Sequence, residues 1–173
     1  MKFNTKLLHG KAGRNTPDGA TLPGISQVSA FSYDSAEHLE KVFGNKSPGF
    51  AYTRIGNPTV AAFEQRINEV EGGTGAVACA SGMAAITVAL LNVLSAGDEI
   101  IAGSGLFGGT IDLFKDLEAF GITTHFIPHI TVEDIKPVLN QNIKAVFGEI
   151  IGNPGLDVVN IKEVSDFLHE NGV

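Results

Sequence analysis

From Pro58 onward the chain alternates short, wholly apolar runs with longer amphipathic ones. Short apolar runs between turn residues are typical of buried strands, whereas apolar residues three or four apart are typical of helices. The pattern predicts four strand–helix pairs in the order βαβαβαβα. The predicted strands cover residues 75–80, 98–103, 122–127 and 144–150, and the helices after them cover 82–94, 109–120, 132–140 and 160–172. Apolar strands joined by helices indicate an α/β fold, with a mostly parallel sheet and helices on both of its faces.

Another helix, over residues 58–71, precedes these pairs. Asn57 is a good N-cap, Pro58 suits the first helical position, and Gly72 can end the helix. Between them, apolar residues recur at helical spacing at Val60, Phe63, Ile67 and Val70. The final helix carries its own signals, a capping box of Asn160 with Glu163 and a stop at Gly172.

Residues 1–57 show no sustained period, apart from a helical candidate at "SAEHLEKVF". We therefore expect an extended N-terminal arm over 1–57, followed by the first part of a ligand-binding domain over 58–173. An arm with little core of its own must lie on the rest of the fold or on another subunit. Because the chain stops just after a helix, we expect a fold cut short. Its open sheet edge would need a partner, either a second copy or a missing C-terminal half.

Composition narrows the functional classes. The 173 residues are 43% hydrophobic and 18% charged, with a net charge of -7. Without a run of basic residues, this charge argues against binding to nucleic acid or to a membrane surface. No apolar run approaches the roughly 20 residues needed to span a bilayer, and no secretory signal is present, so the expected location is cytoplasmic. Cys79 is the only cysteine, and its apolar surroundings do not mark it as a reactive thiolate.

Three turns between strands and helices carry candidate chemistry. In "CASGMAAI", residues 79–86, the helix N-terminus offers free N–H groups to an anion beside Ser81 and Gly82, although a plain turn with a serine cap is equally compatible. "GSGLFGG", residues 103–109, holds the pattern G-x-G-x-x-G and Phe107. A dinucleotide fingerprint also needs an acid at the end of the next strand, but Glu133 lies beyond that end. The competing interpretation is a loop that carries Phe107 over a flat ligand.

The third turn, "GEIIGNPG" at residues 148–155, leaves a strand at Glu149 and turns at Asn153. Its amide could donate to a ligand oxygen, or it could simply form a common Asn-Pro turn. His125 and His129 are four residues apart, but they lie across the end of a strand and so do not share a helix face. No third ligand accompanies them, so a metal site is not expected. His9 and His38 are expected on the surface.

Taken together, "YTRIGNPT", "EGG", "ASGMAAI", "LFGGT" and "GEIIGNP" resemble, in order and approximate spacing, the pyridoxal-phosphate (PLP) enzymes of Cys/Met metabolism. That family includes cystathionine γ-synthase, cystathionine lyases, methionine γ-lyase and O-acetylhomoserine sulfhydrylase. The motif sequences here are most similar to those of the O-acetylhomoserine sulfhydrylases. The resemblance covers essentially the whole chain. It implies the large domain of a type I, aspartate aminotransferase-like PLP enzyme, a small amino-acid substrate, and a homodimer that pairs into a tetramer.

The resemblance also implies roles for individual residues. Ser81, Gly82 and Met83 match the turn that binds the PLP phosphate. Phe107 matches the aromatic residue that stacks on the pyridine ring, and Asn153 matches the asparagine that binds the ring's 3-hydroxyl oxygen. The remaining pair, Tyr52 and Arg54, matches residues that reach the phosphate of the neighbouring subunit's cofactor.

Two departures from the family pattern bear on activity. The motifs of its Schiff-base lysine and of the acid beside the pyridine nitrogen do not occur here, and no lysine of this chain is assigned the catalytic role, including Lys115, Lys136, Lys144 and Lys162. The family usually has tyrosine where Phe107 stands, so a step that uses that hydroxyl is in doubt. We expect the isolated chain to be inactive and its parent to perform γ-replacement on O-acetylhomoserine in methionine biosynthesis. The alternatives are a γ-lyase or cystathionine γ-synthase, an NAD-dependent oxidoreductase, and a non-catalytic assembly module.

Overall fold

The computed structural model describes residues 2–10 and 19–173. Positions 11–18, part of the predicted arm, lie outside the described residues. The chain divides into two compact units, Met1–Ala78 and Cys79–Val173.

The described residues of the first unit form three helices. They are α1 (Phe3–His9), α2 (Ala36–Phe43) and α3 (Pro58–Glu71). The predicted α2 and α3 are confirmed, and α3 has the expected signals: the Asn57 side chain accepts the Thr59 N–H, and Gly72 ends the helix in the left-handed conformation at φ 68°. Helix α1 was not predicted. Its cap residue, Lys2, makes no side-chain capping bond, so its sequence carries no start signal.

The predicted arm is more ordered than its sequence indicated. Residues 29–31 pair with 51–53: the Phe31 N–H donates to the Ala51 carbonyl at 3.1 Å, and the Thr53 N–H donates to the Ser29 carbonyl at 2.8 Å. A single antiparallel bridge, Ala30 to Tyr52, forms between them. This short pairing holds the backbone on either side of Tyr52.

The second unit contains three strands and four helices. In chain order they are α4 (Gly82–Val93), β1 (Glu99–Gly103), α5 (Gly108–Leu117) with a 3-10 turn (Glu118–Phe120), β2 (Thr123–Ile127), α6 (Val132–Ile135), β3 (Ile143–Phe147) and α7 (Ile161–Glu170). The strands form one parallel sheet in the order β2-β1-β3.

Helices cover both faces of this sheet, as predicted. The central strand β1 is apolar at every buried position, so both of its faces are stabilised by burial under helices. Ile100 and Ala102 pack on one face in a core that Leu90 of α4 and Phe114 of α5 complete. On the other face, Ile101 packs in a second core, with contributions from α6 and α7. The protein is therefore an α/β fold with a buried central strand.

Two predicted elements differ from the structure. Residues 75–80 pair with no other strand of the described chain. The Ala78 N–H instead donates to the Glu64 side chain of α3 at 2.8 Å, and Val77 is 82% exposed. The helix predicted over 132–140 ends at Ile135, because Pro137 lacks an N–H group and its ring disfavours a further helical turn.

The other predicted elements are present with small shifts at their ends. Asn160 and Glu163 form the expected capping interaction, in which the Asn160 side chain accepts the Glu163 N–H and its amide donates back to the Glu163 carboxylate at 2.7 Å. Among the described helices, none combines the length and the apolar character needed to cross a membrane.

Candidate functional site

The candidate site lies at the carboxyl ends of β1 and β3. The crossover from β1 leads to β2 on one side, and the crossover from β2 then passes β1 to reach β3 on its other side, so the chain direction across the sheet reverses at β1. In open α/β sheets, ligands bind in the crevice at such a switch point. The segment after β1 contains Phe107, and the segment after β3 contains Asn153.

The turn at Ser81 starts α4 as predicted. The Ser81 hydroxyl accepts the Ala84 N–H at 3.1 Å, which leaves its own proton free to donate. Within the described residues, the N–H groups of Gly82 and Met83 have no hydrogen-bond partner, as expected for the first turn of a helix. A side chain on Gly82 would meet nothing within 4 Å, so the space in front of these donors is open. The geometry suits an anion.

A contact between α4 and α5 places this turn beside the loop that carries Phe107. The Thr110 hydroxyl, which is buried, lies 3.9 Å from the Met83 sulfur, within range of a weak hydrogen bond. Thr110 is in the first turn of α5, and its N–H donates to the carbonyl of Phe107 at 2.9 Å. The three-residue turn and Phe107 are thus neighbours in the fold.

Phe107 carries the aromatic ring of this loop. The ring is 57% exposed, and it folds back over Gly109. A methyl group at Gly109 would lie 2.7 Å from Cε1 of Phe107, closer than packed carbon atoms approach. Glycine is therefore required at position 109 for this ring position. An exposed, fixed aromatic face can stack on a flat ligand.

Asn153 is held against the same loop through its backbone. Its N–H donates to the Gly105 carbonyl at 3.1 Å. The segments around Gly105 and Gly152 approach so closely that a methyl group at Gly152 would lie 3.2 Å from the Gly105 oxygen. The Asn153 side chain is exposed and has no hydrogen bond within the described residues, so its amide is available to a ligand. Gly152 thus has a packing role in this contact, whereas Gly105 contributes only its carbonyl oxygen.

Tyr52 and Arg54 belong to the first unit. The Arg54 guanidinium lies over the Tyr52 ring, 5.3 Å from its centroid, and both side chains are exposed. In the part of the chain that the structure describes, Arg54 makes no ion pair. A planar guanidinium beside a phenol hydroxyl is a suitable donor set for a phosphate.

The other candidates have ordinary surroundings. All four lysines considered above are exposed: Lys115 and Lys162 pair with acids on their own helices, Lys136 lies over the Phe167 ring, and Lys144 donates to a backbone carbonyl. The predicted surface positions of His9 and His38 are confirmed. Within residues 2–10 and 19–173, no three His, Cys, Asp or Glu side chains are arranged to hold a metal ion.

His125 lies away from the candidate site, at the opposite end of the sheet. Its Nε2 is 2.6 Å from the carboxylate of Glu99, which begins β1. Hydrogen bonds from the side chains of Asn140 and Asn142, with a smaller contribution from His125, lower the pKa of Glu99 to about 2. This network joins the amino ends of the three strands.

Sequence patterns did not assign roles to two residues of the candidate site. Glu149 accepts the Phe107 N–H at 2.9 Å, and Thr110 contacts Met83. The available signal was position alone, since Glu149 follows a buried strand by two residues and Thr110 opens a helix. Neither position names its partner, because both contacts join segments that are more than 25 residues apart.

Comparison with known proteins agrees with the arrangement of these turns. The family described as Cys/Met metabolism PLP-dependent enzyme matches residues 4–173. The chain is 40% identical to the O-acetyl-L-homoserine sulfhydrylase of Corynebacterium glutamicum and 35% identical to an L-methionine gamma-lyase of Fusobacterium nucleatum. The two alignments include 99% and 98% of this chain but only 40% and 43% of the relatives, so the chain spans about two fifths of their length.

Solved structures show the same likeness. A Campylobacter jejuni structure, described as an O-acetylhomoserine (thiol)-lyase with N'-pyridoxyl-lysine-5'-monophosphate, matches the whole chain with a TM-score of 0.88 and 29% identity, over 43% of its own length. Cystathionine gamma-lyase from Lactobacillus plantarum matches 98% of the chain with a TM-score of 0.86 and 32% identity, over 42% of its own length. The chain belongs to the Cys/Met metabolism PLP-dependent enzymes, the type I PLP fold whose cofactor is pyridoxal phosphate.

Proposed function

We propose that this chain is the N-terminal part of a PLP-dependent enzyme that performs γ-replacement on O-acetylhomoserine, with sulfide or a thiol as the nucleophile, in methionine biosynthesis. The observation that carries the proposal is the gathering of an open helix N-terminus, an exposed aromatic face and a free amide at one edge of the sheet. Relatives named as sulfhydrylases and homocysteine synthases support the choice of reaction.

The residues present fit the cofactor. The N–H groups of Gly82 and Met83 and the Ser81 hydroxyl would hold its phosphate, because an anion suits the positive end of a helix. Phe107 would cover a face of the pyridine ring, and the Asn153 amide would donate to the oxygen at position 3. Each of these groups is exposed or lacks a competing side-chain partner in the described chain.

Bound PLP supplies an electron sink for the substrate carbons. The residues of this chain would supply orientation: the turn at Ser81 would hold the phosphate, Asn153 would hold the oxygen at position 3, and Phe107 would exclude water from one face of the ring. No residue here is assigned the proton transfers, which in the family belong to a lysine outside the motifs of this chain. The work of this chain is therefore to bind and align the cofactor.

The choice between replacement and elimination is tested by product analysis. We expect the full-length protein to form homocysteine from O-acetylhomoserine and sulfide faster than it forms 2-oxobutyrate from methionine. The opposite ratio would favour the alternative γ-lyase function, which the methionine gamma-lyase relative supports. Phe107→Tyr restores the usual hydroxyl, and a faster rate of both reactions is expected if that hydroxyl serves a proton transfer that they share.

We further propose that the 173-residue chain by itself is inactive. The test is to add one equivalent of PLP to the isolated chain, to remove unbound PLP, which absorbs in the same range, and to follow the near-visible absorption of the protein before and after borohydride. We expect no absorption band that borohydride discharges, because no lysine here is assigned to the cofactor. A discharged band, with label on one of the lysines of this chain, would contradict the proposal.

Tyr52 and Arg54 are proposed to bind the phosphate of a second copy's cofactor, in a dimer that assembles further into a tetramer. The exposed guanidinium and its adjacent phenol support this role. The consequence is that each site takes donors from two subunits, so the site is incomplete in a monomer.

A mixing experiment on the full-length protein tests this arrangement. Arg54→Ala removes the phosphate contact, and Gly82→Asp places a carboxylate in front of the turn, where a side chain meets nothing within 4 Å. Each variant alone should bind PLP weakly. After the two are unfolded and refolded together, mixed dimers contain one intact site, so tight binding should return in part. If Arg54 acts on its own subunit's site, no mixture can restore binding, and the intersubunit role is wrong.

A further inference from the structure

We propose that Glu149 is a positioning residue for the cofactor: its carboxylate fixes the backbone of Phe107 and so sets the distance between the stacking ring and the Asn153 amide. The inference rests on the proposed function, and it adds a residue to which the family resemblance assigned no role.

The contact that carries the inference joins two segments 42 residues apart. The Phe107 N–H donates to Oε1 of Glu149 at 2.9 Å. A second bond runs between the same segments, from the Asn153 N–H to the Gly105 carbonyl at 3.1 Å. The residues pair in opposite order, 107 with 149 and 105 with 153, so the segments after β1 and β3 are tied at two points. Both of the tied segments carry a proposed ligand contact.

A carboxylate is well suited to this place. Phe107 is the N-cap residue of α5, and its side chain makes no capping hydrogen bond. The carboxylate of Glu149 therefore lies at a helix N-terminus, where the helix dipole favours negative charge. A hydrogen bond to an ionised acceptor is also roughly twice as strong as one between neutral groups. Glu149 is half-buried, which limits competition from water.

Without this bond, the Phe107 backbone is held by the α5 helix that it begins and by the buried side chain of Leu106 before it. The Asn153 segment would still be tied at Gly105, but the loop between Gly105 and Gly108 would lose its second anchor. A shift of about 1 Å between two groups that align a ligand can cost about 100-fold in rate. Glu149 thus acts through Phe107 and does not itself need to touch the cofactor.

The experiment compares Glu149→Ala and Glu149→Gln with Glu170→Ala in the full-length protein. Glutamine keeps the size and an acceptor oxygen. Glu170 is an exposed acid at the end of α7 with no hydrogen bond or ion pair in the described chain. Three properties are measured: PLP affinity by titration, the visible circular dichroism of the bound cofactor, and hydrogen exchange at the Phe107 amide.

Glu149→Ala should weaken PLP binding by about 10-fold or more, the loss expected for a charge-assisted hydrogen bond. It should also reduce the cofactor's circular dichroism and expose the Phe107 amide to exchange. Glu149→Gln should recover most of each property, and Glu170→Ala should match the wild type. A merely structural role would lower stability without changing the circular dichroism of the cofactor that remains bound.

The outcomes separate the two proposals. If the wild-type protein does not bind PLP, the proposed function fails and the role of Glu149 falls with it. If the wild type binds PLP and Glu149→Ala matches it in affinity and circular dichroism, only the role of Glu149 is overturned. If Glu149→Ala does not fold, hydrogen exchange at the Phe107 amide of the wild type is the test. Exchange as fast as that of an unprotected amide would show that the bond to Glu149 is absent and would overturn the proposal.

Discussion

Asn57 offers a quantitative test of how the first unit is held together. Its side chain is only 4% exposed and makes three hydrogen bonds. Oδ1 accepts the Thr59 N–H at 2.9 Å, and Nδ2 donates to the Ser26 carbonyl and to the Thr53 hydroxyl, each at 3.1 Å. One residue therefore caps α3 and ties both the preceding turn at Thr53 and the distant segment at Ser26 to its start.

The cost of Asn57→Ala follows from these bonds. Loss of an N-cap costs about 1 kcal/mol. Each of the two donated bonds contributes about 1 kcal/mol, and the acceptors that remain are partly buried. We expect Asn57→Ala to lower the free energy of unfolding by about 3 kcal/mol in total. Asn57→Asp keeps the capping oxygen but cannot donate to Ser26 or to Thr53, so a loss of about 2 kcal/mol is expected.

Urea denaturation followed by tyrosine fluorescence measures this effect in the correct unit. The chain has two tyrosines, Tyr33 and Tyr52, and both lie in the first unit. Ser35→Ala is the matched control, because exposed Ser35 caps α2 through one bond to the His38 N–H at 3.1 Å. Its expected cost is about 1 kcal/mol.

The reasoning would be refuted if Asn57→Ala cost no more than Ser35→Ala. The two donated bonds would then contribute nothing, and Asn57 would be an ordinary cap. A second readout is hydrogen exchange at the Thr53 amide, which donates to Ser29. Faster exchange there in Asn57→Ala, and not in Ser35→Ala, would show that the loss spreads into the segment that carries Tyr52.

Three further predictions concern the second unit. The pKa of Glu99 is lowered from 4.5 to about 2, so its hydrogen bonds stabilise the fold above pH 4.5 and are lost as the pH falls toward 2. The difference in free energy of unfolding between the wild type and Glu99→Gln should therefore vanish over that pH range, and a pH-independent difference would contradict this. Gly109→Ala should displace the Phe107 ring and weaken PLP binding by about 1–3 kcal/mol. Gly108→Ala should leave PLP binding unchanged, because a methyl group there meets nothing within 4 Å, and equal PLP affinities of the two variants would be evidence against the packing argument. Phe114, fully buried between α5 and the sheet, should cost about 3–5 kcal/mol on truncation to alanine in chemical denaturation, and a cost below 1 kcal/mol would mean that this core is loosely packed.

Much of the candidate site was accessible from sequence, because its turns have local causes. Ser81 caps α4 by accepting an N–H three residues later, and a helix N-terminus leaves donors free wherever it occurs. Phe107 and Asn153 could be placed after strands by the apolar pattern alone. Their proximity could not, because strand order depends on which crossovers are made, and β1 has both neighbours only in the folded sheet.

The same limit applied to the elements that were missed or wrongly predicted. Helix α1 has no side-chain N-cap, and a tertiary contact holds its other end: Arg66 of α3 donates to the Lys6 and Leu7 oxygens at 2.7 and 2.8 Å. Residues 75–80 have a strand's apolar pattern, but a strand exists only with a partner, and Glu64 holds the Ala78 N–H in its place.

The sequence by itself determined the type and the ends of most elements in this protein, since caps, prolines and apolar periods act over three or four residues. Tertiary structure alone decided which segments meet: the β2-β1-β3 order, the two ties between the Phe107 and Asn153 loops, and the Glu149 contact. Those contacts join groups 24 to 48 residues apart in the chain, and no local period encodes the partner of a backbone N–H at that separation.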